Sequence, residues 1–298
     1  MKRRISCVKG DIREENLGLE LDIYNKERNE IDTVIHTAAN IKHFGVFEDF
    51  YKTNVKGTEE VIKFCLKSGA RMYHISTMSV SGQGIIKQSQ KMPEFSENNL
   101  YIGQAYKDNV YIHTKYLSEK AVIDSMEKGL DVCILRVGNL MWREGDGRFQ
   151  KNPKDNGFIN RTLAIHKLGV TCKELQNSII DLTPVDKCAE AVIKIAKFTE
   201  SCGVFHLINH NEISYIKLFD MLNKKLNTIS TKDFYNIVND NKEEDKVGVL
   251  YLYLNGIKEN INTLSVNIKS NFTKEFLKEV GFEWNCVDEE YVKGVGVF

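Results

Sequence analysis

Neither sign of charge is in excess in this sequence, because 41 Lys and Arg balance 41 Asp and Glu over 298 residues. Without a global positive field nothing holds a phosphate backbone, so nucleic acid is not expected as a partner. Paired cysteines are lacking too. Cys7, Cys65, Cys133, Cys172, Cys188, Cys202 and Cys286 are odd in number, scattered, and never form a C-x-x-C pair. They are expected as reduced residues of a cytoplasmic protein with no metal site. No apolar run has the length of a membrane span. Lys2-Arg3-Arg4 imitates the start of a signal peptide, but Ile5 to Gly10 is too short and too quickly charged to continue one.

What the first half does contain is alternation. Short apolar runs at Ile5 to Val8, Thr33 to Ile35, Met72 to Ile75 and Val132 to Val137 are separated by helical patterns. That order predicts an α/β fold with parallel strands and crossover helices. Phe47 to Lys67 reads as a helix stopped by Gly69, and Tyr111 to Lys128 as a helix stopped by Gly129. Two long polar stretches, Ser81 to Asn109 and Trp142 to Asn156, are expected to wall a substrate cleft. After Phe158 the rhythm changes to helices with short strands at Ser178 to Leu182 and Val204 to Ile208, while Asn239 to Lys246 reads as a solvated surface turn. The division expected is a Rossmann-like part over 1–157, then sheet completion and a smaller substrate-binding lobe over 158–298.

Reduction of a carbonyl by hydride leaves negative charge on oxygen, which calls for a proton donor and a second hydrogen-bond donor beside it. Tyrosine can donate that proton when an ammonium four residues along the same helix face lowers its pKa. Two pairs have this spacing, Tyr111 with Lys115 and Tyr116 with Lys120. Their five-residue offset rotates one from the other by about 140°, so only one can face a given site. Upstream, His74-Ile75-Ser76-Thr77-Met78-Ser79 puts hydroxyls just past the carboxyl end of a strand, where open α/β sheets bind ligands.

A strand ending in Ser76-Thr77, followed by Asn109-Val110-Tyr111-Ile112-His113-Thr114-Lys115, resembles the extended short-chain dehydrogenase/reductase family. The first pair fits that family's helix better than the second. The resemblance reaches back to Asp32 through Asn40, to Asn54-Val55-Lys56-Gly57-Thr58 and to Gly10-Asp11-Ile12. More narrowly, Arg136 to Leu140, Asp146 to Gln150, Asn156-Gly157-Phe158 and Thr183-Pro184-Val185-Asp186 resemble the thioester reductase domains of nonribosomal peptide synthetases.

That resemblance implies NADPH as cofactor and a phosphopantetheinyl carrier domain, bearing an acyl or peptidyl thioester, as partner. The product would be an aldehyde or alcohol. It implies that Tyr111 protonates the developing alkoxide, that Lys115 depresses the Tyr111 pKa and holds the nicotinamide ribose, and that Thr77 rather than Ser76 donates to the same oxygen. Asp11, Ile12, Ala38, Ala39, Asn40, Asn54, Gly138 and Asn139 would line the cofactor.

The sequence lacks the glycine-rich turn on which dinucleotide pyrophosphates rest. Gly82 and Gly84 run into a polar loop, and no helix follows Gly294 and Gly296. An N-terminal strand–turn–helix unit is therefore expected to be missing, leaving an interior strand as an open edge, with an upstream chain or module as one source of the unit. Two alternatives stand beside the reductase reading: a nucleotide-sugar epimerase, dehydratase or reductase of the same broad family, and a non-catalytic remnant that only docks a carrier.

Overall fold

A computed structural model of the chain describes residues 5–42, 45–82, 93–107, 109–152, 156–257 and 266–294. Residues 2–4, Gly84 and Gly296 lie outside them. Four of the apolar runs form one parallel sheet: Thr33–His36 (β1), Arg71–Thr77 (β2), Val132–Val137 (β3) and Gly203–Leu207 (β4), in that spatial order. Spatial order and chain order coincide, so each crossover steps one strand in the same direction. The main helices are Leu21–Glu30 (α1), Gly57–Ser68 (α2), Val110–Met126 (α3), Gly157–Leu168 (α4), Val185–Phe198 (α5), Thr231–Asp240 (α6), Val247–Ile257 (α7) and Asn271–Glu279 (α8).

Every residue of β3 is buried, as a parallel strand covered on both faces requires. Val132 and Ile134 pack with Val61, Ile62 and Cys65 of α2 and Val122 of α3. Cys133, Leu135 and Val137 pack on the other face with Cys188, Ala191 and Ile195 of α5 and Leu277 of α8. A third core joins Phe158, Ile159 and Ile165 of α4 with Phe234 and Val238 of α6 and Leu250 of α7. Trp142 belongs to that core and donates from Nε1 to the Tyr291 carbonyl at 2.9 Å, so the stretch expected as a cleft wall starts inside the protein.

Two expectations need correction. Residues 5–10 form no strand and are exposed. A parallel ladder needs a neighbour, and among the described residues β1 pairs only with β2. The run expected over Ser178 to Leu182 shrinks to Ile179–Ile180, paired antiparallel with Ile213–Ser214. The expected helix after Phe47 is present but is not all α: Tyr51–Lys56 is π-helical, with Gly57 N–H reaching back to the Lys52 carbonyl. Gly69 ends α2 in the left-handed conformation at φ 74°, which a glycine adopts without steric cost. Asn239 and Asp240 still belong to α6, and the charged residues after them form the exposed turn.

Beneath α3 lies a fully buried ion pair. Arg136 of β3 donates from Nε and NH2 to Glu119 Oε1 at 2.9 and 2.5 Å, and Ser76 of β2 donates to Glu119 Oε2 at 2.5 Å. The remaining guanidinium donors reach the Ser96 and Asn99 carbonyls and His206 Nε2. Replacing Glu119 with Leu strands a buried cation and should cost about 3–5 kcal/mol in urea unfolding. Glu119→Leu combined with Arg136→Met should recover much of that loss, and additive losses would show that the two side chains are not coupled.

Candidate active site

The carboxyl ends of β1, β2, β3 and β4 come out on one side of the sheet, since His36 lies opposite His74, Thr77 opposite Val137, and Val137 opposite Leu207. Helix α3 begins there. Its N-cap Asn109 accepts from Tyr111 N–H and Ile112 N–H at 2.9 and 3.1 Å, which places Tyr111 in the first turn. At the end of β2, Thr77 Oγ1 accepts from Ser79 N–H at 3.2 Å and starts a short 3-10 turn, Met78–Ser81. The Tyr111 phenol lies beside the Thr77 side chain, close enough for the hydroxyl to influence it.

One helical turn on, Lys115 is buried and donates to the Ile75 carbonyl at 2.8 Å. Burial pushes its ammonium down to about 8, with Glu119 opposing the fall. Burial also raises the Tyr111 phenol above its ordinary value, and what opposes this is the Thr77 hydroxyl. The expected depression of Tyr111 by Lys115 is thus not what the geometry produces. Tyr111 stays protonated at neutral pH, and Lys115 sits at the helix base, anchored to the sheet.

The second Tyr-x-x-x-Lys pair is structural. Tyr116 stacks on Tyr106 at 3.8 Å between ring centroids, and exposed Lys120 bonds Asp124 one turn along. Ser76 is likewise spoken for by Glu119, which leaves Thr77 as the hydroxyl beside Tyr111.

Ala38 and Ala39 follow β1 in an open turn, and the next peptide is fixed at two points: Asn40 N–H donates to Asn54 Oδ1 at 2.7 Å, and Asn54 Nδ2 donates to the Asn40 carbonyl at 3.1 Å. The same amide reaches Thr114 Oγ1 of α3 at 3.0 Å. Asn54 is therefore buried and holds the turn. Asp11 and Ile12 lie on a separate turn, where Asp11 is paired with Arg13, which lowers its carboxyl to about 2. Ile12 packs so closely on Gly57 that a Cβ at 57 would overlap it.

Gly138 and Asn139 continue β3. Gly138 N–H donates to the Leu207 carbonyl at 2.9 Å, and Asn139 N–H to Asp181 Oδ2 at 2.6 Å. Farther along the same loop, Glu144 N–H and Gly145 N–H donate to Asp186. Sequence reasoning noticed Thr183-Pro184-Val185-Asp186 without giving it a task, and missed Asp181, whose partner is 42 residues away in the chain. Among the described residues no group of three or more His, Cys, Asp or Glu side chains could hold a metal ion, and no helix is long and apolar enough to cross a membrane.

A family model described as male sterility protein, an NAD-binding family, matches residues 1–192. A thiolation-reductase di-domain from an archaeal nonribosomal peptide synthetase superposes with a TM-score of 0.84 at 31% identity, covering 99% of this chain and 62% of that one. The L-2-aminoadipate reductase of Schizosaccharomyces pombe is 25% identical over 323 residues, covering 96% of this chain and 21% of its own length. The chain thus spans about a fifth of that curated relative. The UDP-glucuronic acid 4-epimerase of Bacillus cereus, solved with NAD, shares the fold with a TM-score of 0.59 at 17% identity, covering 94% of this chain and 79% of its own.

Lys115 supplies a test of the site's interior. Below pH 8 both the folded and the unfolded chain carry its proton and burial is penalised in full. Between about 8 and 10.5 only the unfolded chain keeps it, so the penalty fades as pH rises. Relative to Lys115→Met, the native chain should gain up to about 3 kcal/mol across that window in urea unfolding. A constant difference would rule out a buried ammonium.

Proposed function

The chain belongs to the NAD-binding family described as male sterility protein, and on that premise we propose that it is the reductase part of an enzyme that reduces carrier-bound thioesters. The reaction class is the NADPH-dependent reduction of an acyl or peptidyl thioester on a phosphopantetheinyl carrier domain to an aldehyde. The observation that carries the reading is the placement of Tyr111 beside Thr77 at the carboxyl end of β2, with Lys115 one turn below and bonded to the Ile75 carbonyl. The similarity to a thiolation-reductase di-domain, at a TM-score of 0.84 against 0.59 for the epimerase, favours a carrier-bound thioester over a nucleotide sugar.

The nicotinamide cofactor supplies the hydride when bound. The residues present suit its nicotinamide end, because the small residues Ala38 and Ala39 follow β1 beside the end of β2, and Asn54 keeps that turn in place. In this reading Thr77 and Tyr111 bind the thioester carbonyl oxygen. As negative charge builds there, Tyr111 gives up its proton and the oxygen becomes the hydroxyl of a hemithioacetal. Collapse then breaks the carbon–sulfur bond: the hydroxyl proton returns to the Tyr111 phenolate, the electron pair of the broken bond leaves with sulfur as thiolate, which takes a proton from solvent, and the aldehyde is free. Lys115 holds the base of α3 against Ile75. In this reading it would meet the cofactor ribose when the cofactor is bound, and Asp11 and Ile12 would take the adenine end.

No strand among the described residues leads through a glycine-rich turn into a helix, and β1 has a neighbour on one side only. Ile5, Val8, Ile35, Ile41 and Val46 are all exposed in this part of the chain. We assign the pyrophosphate anchor to a strand–turn–helix unit from an upstream chain or module, seated along β1. A cytoplasmic setting is part of the reading, supported by seven cysteines that all remain free thiols.

Calorimetric titration of NADPH into this chain, and into the chain extended by its in-frame upstream coding sequence, tests the assignment. Binding by the extended form alone is expected. Tight binding by the chain as it stands would remove the need for an added unit, and binding by neither would favour a docking remnant. In the binding-competent form, Tyr111→Phe should lower kcat on a carrier-bound acyl thioester by about 10²–10⁴-fold, whereas Tyr116→Phe should leave it nearly unchanged. Equal effects would contradict the assignment of the proton donor.

A further inference from the structure

Asp181 stands between the short strands Ile179–Ile180 and Thr183–Pro184, and each of its carboxylate oxygens holds a different partner. Oδ2 accepts from the Asn139 N–H at 2.6 Å and Oδ1 from the Thr183 hydroxyl at 2.6 Å. Thr183 in turn donates its N–H to the Asn139 carbonyl at 3.1 Å, and its Oγ1 accepts from the Asn209 N–H at 2.9 Å. The Asn139 peptide is thereby gripped at both N–H and C=O by residues 181–183.

Gly138 explains itself in the same contact. Its backbone is not among those with positive φ, so conformation does not demand a glycine. Space does, because a Cβ there would overlap Asp181 Oδ2 and Thr183 Oγ1. This turn begins one residue beyond Val137, which lies opposite Thr77 in the sheet register. It is therefore a near neighbour of the Thr77–Tyr111 pair.

A carboxylate in such a place is costly. Burial drives its pKa up to about 7, Glu212 adds to the rise, and hydrogen bonds rather than a cation oppose it. A cost of this kind is sustained where a group imposes a geometry that apolar packing would not. Asn139, whose backbone is so held, is itself exposed.

We propose that Asp181 is a positioning residue of the active site: acting through the Asn139 peptide, it fixes the Gly138–Asn139 turn in the shape that receives the nicotinamide end of the cofactor. The proposal rests on the reductase reading. The probe is NADPH, titrated into the extended form that carries the pyrophosphate anchor.

The variants are Asp181→Ala, Asp181→Asn and Gly138→Ala, made in the extended form and measured for the dissociation constant of NADPH and for hydrogen exchange of the Asn139 amide. Asp181→Ala removes both acceptors and should weaken binding about tenfold or more while the Asn139 amide loses protection. Asp181→Asn can still accept from Asn139 N–H and donate to Thr183 Oγ1, so it should stay within about threefold of the native chain with the amide protected. Gly138→Ala attacks the same contact from the other side and should resemble Asp181→Ala, while exchange in β3 shows that the sheet remains folded. Native-strength binding by Asp181→Ala would overturn the positioning role alone. Failure of the extended form with native Asp181 to bind NADPH would overturn the reductase reading and this proposal with it.

Discussion

The site depends first on a buried ion pair that takes no part in chemistry. Glu119 and Arg136 are both fully buried, and every donor of the guanidinium that reaches a partner does so within the sheet, the carboxylate, or the 96–99 loop. Desolvating two charges is expensive, and apolar residues of the same volume would fill the space at no such cost. What the pair adds is rotation. Tyr111, Lys115 and Glu119 follow one another at four-residue steps along α3, so locking Glu119 onto β3 turns the other two toward the strand ends.

A second polar layer extends that lock toward β1. His36 Nε2 meets Thr58 Oγ1 at 3.0 Å, Thr58 meets Ser118 at 3.1 Å, and Ser118 meets His74 Nε2 at 3.2 Å. Burial and the nearby Lys115 charge lower both imidazoles, that of His36 to about 4, so both are neutral at physiological pH and can donate at one nitrogen and accept at the other. Asn54 completes the layer by linking Asn40 to Thr114. The π-helical Tyr51–Lys56 stretch carries Asn54 in this contact, and such widened turns recur where a helix must aim a side chain rather than merely pack. The turn beyond β1 and α3 are therefore one hydrogen-bonded unit.

The far side of the site is held differently. Among the described residues, the loop after β3 has no ladder of its own beyond Leu140–Met141 paired with Thr183–Pro184, and its N–H groups at 139, 144 and 145 are taken up by Asp181 and Asp186. Two carboxylates at the entrance to α5 thus shape a loop that the sheet alone would leave loose. Thr77 and Tyr111 lie between a side fixed by hydroxyls and imidazoles and a side fixed by carboxylates.

Local chemistry alone determined much of this. Apolar alternation marked β1, β2 and β3, four-residue spacing and Gly129 marked α3, and Gly69 marked the end of α2, because each depends on residues adjacent in the chain. The motifs around Thr77, Tyr111 and Lys115 pointed to a reductase, yet spacing could not choose between Tyr111 and Tyr116, which offer the same helical step. Tertiary structure separates two pairs that the surrounding motif had already ranked, since Tyr106 takes Tyr116 as a stacking partner and Glu119 takes Ser76, while Tyr111 lies beside Thr77. It also decided that residues 5–10 form no strand and that Asp181 grips Asn139. Ladder bonds and buried carboxylates are settled by what the fold brings from far along the chain, and no local pattern records it.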